Sequence, residues 1–206
     1  MTKSMDHIVY QFKVSLIEIE PTIWRRIQVP AKYSFWDLHV AIQDAMGWLD
    51  YHLHAFRIRP KHKRKTINIG IPGDEWDGDT TIPGWEIPII KHFTELGQII
   101  EYEYDFGDGW SHEVLFEAFL LKEKGIRYPK CVGGERACPP EDCGGIPGYY
   151  SLLEVLQDPT HPDYEENITW LKGHAKNYYP YDADNFSPEM VRFDNPQKRR
   201  RSAFSQ

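Results

Sequence analysis

The chain of 206 residues is 41% apolar and 14% aromatic, and its formal net charge is −7. This composition supplies enough apolar side chains for a core and excludes a disordered chain. No apolar run approaches the roughly 20 residues that span a bilayer, and the N-terminal segment lacks the apolar stretch of a signal peptide. We therefore expect a cytoplasmic protein with no membrane partner.

The first third of the chain alternates between strand and helix patterns. Its periodicity predicts, in order, strands at 8–19 and 23–29, a helix at 35–46 and a strand at 52–59. Pro21 separates the first two strands, so a hairpin is the economical connection between them. Ser34 is placed to cap the start of the helix, and Gly47 fits its C-terminal cap.

The rest of the chain contains one hairpin and two helices between irregular stretches. Residues 60–88 are rich in Gly, Pro, Asp and Trp and predict a long excursion with little regular structure. Asp108-Gly109 predicts a tight turn. The predicted elements are strands at 99–106 and 111–121, a cysteine-containing loop at 126–147, and helices at 149–157 and 162–173.

Runs of strands with segregated helices indicate an α+β fold. We expect one compact domain over 1–174 with a mostly antiparallel sheet. The helix at 35–46 should pack on one face of the sheet, and the C-terminal helical pair should lie at its end. The segment 175–206, with three prolines and no sustained period, predicts an irregular extension that ends in a basic tail.

All three cysteines lie within thirteen positions, at Cys131, Cys138 and Cys143. Their spacing lacks the C-x2-C knuckle of typical zinc sites, but the Gly- and Pro-rich loop needs something to order it. One zinc ion is one alternative, with a fourth ligand among His112, His161 and His174. Burial as small apolar side chains is the second alternative, and a pair of oxidised cysteines is the third.

A second group of polar residues surrounds the tight turn and the third strand. His52 and His54 are two positions apart on a predicted strand, hence on one face, and could meet His112 across the sheet. With the carboxylates of Asp105 and Asp108, they would form the histidine and carboxylate site of a metal-assisted hydrolase. Turn chemistry alone also explains Asp108.

The charge of the chain is unevenly distributed. "KHKRK" (61–65) and the tail residues Lys198, Arg199, Arg200 and Arg201 are strongly basic, whereas the remainder is acidic. A basic tail of this size predicts salt-sensitive, non-specific attraction to nucleic acid. An acidic body does not resemble a duplex-binding surface, which usually needs a broad basic face.

Several stretches together resemble a known family. They are "YQFKVSLIEIEPTIWRRIQVP", "LHVAIQDAMGW", "HLHAFRI", "YEYDFGDGWSHEV" and "CVGGERACPPEDCGGIPGYYSLLEVLQDPTHPDYEE". In this order they resemble the plasmid ORF-three-like family, named for a reading frame on a hairy-root Ri plasmid. The resemblance implies a compact α+β domain, found on plasmids, mobile elements and chromosomes, without an established activity. Some members carry resolvase-like labels or adjoin DNA-binding domains.

No Walker loop, nucleophile elbow, H-E-x-x-H or dinucleotide fingerprint occurs in the chain, and no recombinase serine motif is evident. The first hypothesis is therefore a non-enzymatic interaction module with an unidentified protein partner. Nucleic acid bound through the basic tail is a further hypothesis. The metal-assisted hydrolase described above is the alternative of a different class.

Overall fold

The computed structural model describes residues 6–59, 65–73 and 81–204, and eight strands in these ranges form one sheet. In chain order they are β1 (Ile8–Leu16), β2 (Trp24–Pro30), β3 (His54–Ile58), β4 (Ile67–Gly70), β5 (Thr81–Pro83), β6 (Ile99–Tyr104), β7 (Trp110–Leu121) and β8 (Lys130–Glu135). Across the sheet the order is β5-β4-β3-β6-β7-β1-β2-β8. All neighbours pair antiparallel except β4 and β5, so the predicted fold class is confirmed.

Within the described ranges, four α-helices accompany the sheet: α1 (Phe35–Met46), α2 (Gly145–Gln157), α3 (Tyr164–Gly173) and α4 (Pro196–Phe204). The bounds of α1 match the prediction because its caps are strong. Ser34 Oγ accepts from the Asp37 backbone N–H, and the Asp37 carboxylate accepts from Ser34 N in return. Gly47 ends the helix at φ 94°, a conformation that favours glycine. None of the helices in the described ranges is long and apolar enough to cross a membrane.

The core lies between one face of the sheet and α1. Phe12, Phe93 and Phe116 are fully buried there and contact one another in tilted and edge-to-face pairs. The opposite face of the sheet is polar. Arg26, for example, forms an ion pair with Glu117 across that face, with 2.6 Å between Nε and Oε2.

Three strands lie where the sequence predicted irregular structure. β4 and β5 fall within the excursion 60–88, and β8 falls within the cysteine loop. Each is short, and β8 contains two glycines, so their side chains carry little periodicity. Backbone pairing orders them: β4 pairs with β3, β5 with β4, and β8 with β2. Residues 61–64 of the basic stretch lie outside the described residues.

The predicted irregular C-terminal segment contains α4, which packs against α1. Trp36 Nε1 donates to Pro196 O over 2.9 Å, and the ring of Phe204 lies 5.7 Å from that of Trp36. Arg199 pairs with Asp44 and Asp194, each at 2.6 Å. The prediction of an irregular tail is therefore wrong for these residues, because long-range contacts order a segment with no apolar period.

Candidate metal centre

Two distant stretches of the sequence, "YDFGDGW" and "ACPPEDCGG", contact each other at one end of the sheet. The Gly144 backbone N–H donates to Asp108 Oδ2 over 3.2 Å. Gly145 lies so close that an added Cβ would be 2.5 Å from Asp108 O, and its φ is +67°. Only glycine avoids the clash with Asp108 O and readily adopts this φ, so Gly145 allows the two stretches to pack closely.

Glu141 fixes the second stretch against the segment that follows α1. Its side chain is buried, and Oε2 accepts from Leu49 N over 2.6 Å while Oε1 accepts from the Tyr104 hydroxyl. Trp48 Nε1 donates to Pro139 O over 3.0 Å. A buried carboxylate and an indole therefore help to order this loop, for which zinc was one of three alternatives left open by the sequence.

The two stretches bring together three side chains that could bind a metal ion: His52, Asp105 and Asp142. His52 Nε2 lies 2.8 Å from Asp142 Oδ1 and 3.6 Å from Asp105 Oδ2. One ligand atom from each residue lies within 4.8 Å of the other two. In the part of the chain that the structure describes, no other group of three His, Cys, Asp or Glu meets this criterion.

The backbone holds both carboxylates in place. Asp105 and Asp142 have φ of 54° and 59°, the left-handed region that aspartate tolerates better than most residues. Asp105 N donates to Leu53 O over 2.9 Å, and Gly107 N donates to Asp105 Oδ1 over 3.0 Å. The second oxygen of Asp105, Oδ2, is thereby directed towards His52.

His174, at the end of α3, lies behind the cluster with Nε2 4.0 Å from Asp142 Oδ2. Its Nδ1 accepts from the Lys176 backbone N–H over 3.3 Å, and its ring lies 4.8 Å from that of Tyr178. A neutral histidine that accepts at Nδ1 carries its proton on Nε2. His174 is therefore placed to support the Asp142 carboxylate rather than to supply a ligand atom.

The other two predicted histidines do not join His52. His54 is buried, and its ring stacks on that of His39 with 3.4 Å between centroids. Burial and the neighbouring His39 hold the pKa of His54 well below its usual value. Burial also lowers the pKa of His112 to about 4, and His112 Nδ1 lies 3.2 Å from Tyr102 O. The predicted three-histidine centre does not form.

The three cysteines do not form a group of ligands in the described ranges. Cys131 is a core residue on β8, whereas Cys138 and Cys143 are half-buried in the loop. Burial raises the pKa of all three thiols, that of Cys138 to about 12. Their separation in the structure fits the alternative of small packed side chains.

The basic tail is partly engaged within the chain. Besides its bonds to Asp44 and Asp194, Arg199 lies 3.5 Å from Asp50, and the guanidinium of Arg200 lies 5.5 Å from the centre of the Trp85 ring. The side chains of Lys198, Arg200 and Arg201 are exposed on α4. Part of the tail's charge thus stabilises the contact between α4 and the body.

Fold and site together define a single α+β domain with an open histidine and carboxylate cluster at one end of its sheet. Residues 8–190 match the family model described as Plasmid pRiA4b ORF-3-like protein, and the chain belongs to this family. The resemblance inferred from the sequence is confirmed.

Two other proteins are similar in sequence to most of this chain. Uncharacterized protein y4hQ of Sinorhizobium fredii (strain NBRC 101917 / NGR234) is 35% identical over 180 residues, which cover 87% of each protein. The crystal structure of MM3350 from Methanosarcina mazei Go1, described as a protein of unknown function, is 40% identical. That match has a TM-score of 0.80 and covers 91% of this chain and 99% of the other. Neither description names an activity.

Proposed function

We propose that the protein is a metal-dependent interaction module, in which His52, Asp105 and Asp142 bind a divalent transition-metal ion. The convergence of their three ligand atoms within 4.8 Å carries this proposal. The bound ion would tie the loop containing Asp142 to the end of β6, and the surface around it would receive a protein partner.

The ligand set suits zinc, manganese or ferrous iron, which accept imidazole and carboxylate together. Ligand atoms about 2.1 Å from a tetrahedral zinc ion are about 3.4 Å apart. The distances of 2.8 Å and 3.6 Å from His52 Nε2 bracket this value, so an ion needs only small shifts to enter. Within the described ranges, both carboxylates pair with histidine and not with Lys or Arg, which leaves their charge available for a cation.

The surroundings of the cluster favour interaction with a macromolecule. The side chain of Asp142 is 50% exposed, so the cluster is open to solvent. Tyr51, Leu53 and Phe106 adjoin it in the chain and are 62%, 50% and 51% exposed. Exposed aromatic and apolar side chains around a polar centre are typical of protein interfaces. The ion's remaining coordination position could accept a carboxylate or imidazole from the partner.

Calorimetric titration of the untagged, chelator-treated protein with zinc and with manganese tests the metal site. We expect one ion per chain, and at least about a tenfold loss of affinity in His52→Ala and Asp142→Ala. Asp163→Ala is a matched control, because Asp163 forms a comparable exposed pair with His161 at 3.9 Å. Wild-type protein that binds no ion, or Asp142→Ala that binds as tightly, would overturn the proposal.

The interaction part has its own test. Cross-linking in native lysate should capture a defined partner with metal present and lose it with chelator or with Phe106→Ser. Leu96→Ser is the control, since Leu96 is also exposed, at 57%, and lies outside the cluster. If the same partner is captured with chelator present and with Phe106→Ser, the interface does not depend on metal and this part of the proposal is wrong.

A metal-assisted hydrolase is the second candidate, because three protein ligands leave one position of a tetrahedral zinc ion for water. Zinc bound there would lower the pKa of such a water to about 7, which is the chemistry that hydrolysis of esters and phosphodiesters requires. Hydrolysis of nitrophenyl esters and phosphodiesters by the zinc-loaded protein, abolished in Asp105→Asn, would favour this function. Zinc-loaded protein with no rate above that of free zinc would exclude it for these substrates.

A further inference from the structure

A cavity of about 510 Å³ lies on a different part of the molecule, between the C-terminal end of α1 and the segment 176–192. Its walls include Arg25 of β2 and Lys176, together with the rings of Tyr181 and Phe186. This volume is within the range of pockets that bind small organic molecules.

Arg25 is a buried cation with no carboxylate partner in the described ranges. It is 1% exposed, and its Nε donates to Ala45 O over 2.9 Å. Nη1 donates to Trp24 O and Glu135 O over 2.8 Å and 2.9 Å. Nη2 is buried without a hydrogen-bond partner among the described residues. Because arginine stays protonated in proteins, a full positive charge and two N–H donors remain unmatched.

The other groups around the cavity leave it electropositive on the side of Arg25. Lys176 supplies a second cation, and Arg192 lines the wall with its guanidinium bonded to backbone carbonyls. Asp44 is held by Arg199 and by Asp194 N, and Asp182 accepts from Asp184 N over 3.0 Å. Asp44 thus has a cationic partner and Asp182 has a backbone donor, whereas burial disfavours an unpaired cation such as Arg25 unless an anion joins it.

Aromatic rings provide the apolar part of the same wall. Phe186 stacks on the guanidinium of Arg25 at 3.6 Å, and the Tyr181 hydroxyl donates to Cys138 O over 3.1 Å. A ligand that places an oxyanion between Arg25 and Lys176 would lay its carbon skeleton against these rings.

We propose that this cavity binds a small organic oxyanion, a carboxylate or phosphate monoester attached to a ring or short chain. Lys176 Nζ contacts the anionic group, and the buried charge of Arg25, enclosed behind Phe186, attracts it. The site is independent of the metal cluster and needs no metal.

Ligand-detected NMR and calorimetry on the full chain, with benzoate, phenyl phosphate and inorganic phosphate as probes, test this proposal. We expect benzoate or phenyl phosphate to bind at millimolar concentration or better. Lys176→Met should weaken binding by about tenfold or more, since it removes a charge-assisted hydrogen bond. Lys172→Met is the matched control, because Lys172 lies over the Tyr179 ring, outside the cavity.

The probes also distinguish the ligand classes. Tighter binding of phenyl phosphate assigns a phosphate monoester, and tighter binding of benzoate assigns a carboxylate. Arg25→Met, if circular dichroism shows it folded, should weaken binding as well because it removes the buried charge, and if it is unfolded the Lys176→Met result decides. The proposal is overturned if no probe binds, or if Lys176→Met and Lys172→Met bind every probe as the wild type does.

Discussion

His52 and His54 are two residues apart, yet they occupy opposite chemical environments. The side chain of His52 is 31% exposed and faces two carboxylates. His54 is 2% exposed and stacked on His39, and neither of its ring nitrogens has a hydrogen-bond partner in the described part of the chain. The surroundings, and not the residue type, decide that one imidazole is open to a metal ion and that the pKa of the other is lowered by burial.

The start of β3 explains this difference. The strand begins at His54, whose side chain points into the core beside Trp36 and Tyr102. His52 precedes the strand and lies on the connection from α1, where the chain is free to turn the ring towards Asp105 and Asp142. The outer cluster (His52, Asp105 and Asp142) thus depends on loop geometry, and the buried pair (His39 and His54) depends on sheet packing.

Removal of Glu141 should have the largest effect, and it would break the outer cluster while leaving the buried pair in place. Glu141→Ala leaves Leu49 N and the Tyr104 hydroxyl without their acceptor, so we expect the free energy of unfolding to fall by about 4 kcal/mol. Urea denaturation measures this loss, and Glu141→Gln, which keeps one acceptor oxygen, should lose less. A loss below about 1 kcal/mol in Glu141→Ala would show that other contacts hold the loop.

Low pH should have the second largest effect, because it destabilises the fold around the buried histidines. The pKa values of His54 and His112 are depressed in the folded protein, that of His112 to about 4. Between about pH 6.5 and 4 the unfolded chain binds more protons, so stability is complete above this window and falls as pH drops through it. His112 alone should contribute a loss of about 3 kcal/mol. Urea unfolding at several pH values tests this, and stability that stays constant down to about pH 4.5 would contradict it.

Replacement of His54 tests whether this buried imidazole contributes to the loss of stability in acid. His54→Leu removes two unpartnered nitrogens but keeps most of the side-chain volume, so unfolding free energy at neutral pH should change by less than about 1 kcal/mol. The slope of stability with pH below about 6.5 should become shallower by up to about 1.4 kcal/mol per pH unit. His112→Leu is the comparison variant and should be less stable at neutral pH, because it loses the bond to Tyr102 O. An unchanged slope in His54→Leu would mean that His54 titrates normally.

Replacement of the exposed histidine should have the smallest effect on stability. Without metal, His52→Ala should lower the free energy of unfolding by no more than about 0.5 kcal/mol, since exposed ion pairs contribute little. Zinc should raise the melting temperature of the wild type and not that of His52→Ala, because an ion stabilises only the protein that binds it. Metal-free His52→Ala that loses more than about 1 kcal/mol would assign His52 a structural role.

The sequence alone was sufficient for the regular parts of the fold. The helix at 35–46 was predicted with its caps, and alternation predicted β1, β2, β3, β6 and β7. The sequence did not reveal β8, because its glycines carry no side-chain pattern and its order comes from pairing with β2. Nor could it reveal α4, whose helix is held by Arg199 and Trp36 contacts far along the chain.

The candidate site was predicted only in part. His52 and Asp105 were named, but they were grouped with His54 because the strand was expected to begin at 52. Asp142 was missed, since nothing in the spacing of "PPEDC" shows that the loop folds back over 90 residues to His52. The acidic pair between two prolines and a cysteine was the available signal. Its first member, Glu141, is buried and hydrogen-bonded to Leu49 N and the Tyr104 hydroxyl, and its second, Asp142, belongs to the proposed metal site.

The place of β1 between β2 and β7 has a consequence for the growing polypeptide on the ribosome. One edge of β1 pairs with β2 a few residues later, but the other pairs along its whole length with β7, where Ile8 meets Leu121. Until residue 121 has been synthesised and has left the exit tunnel, the nascent hairpin presents an open strand edge with apolar side chains on one face. Such edges associate readily with other chains. The interval between the synthesis of β2 and that of β7 is therefore the one in which we expect this protein to need a chaperone most.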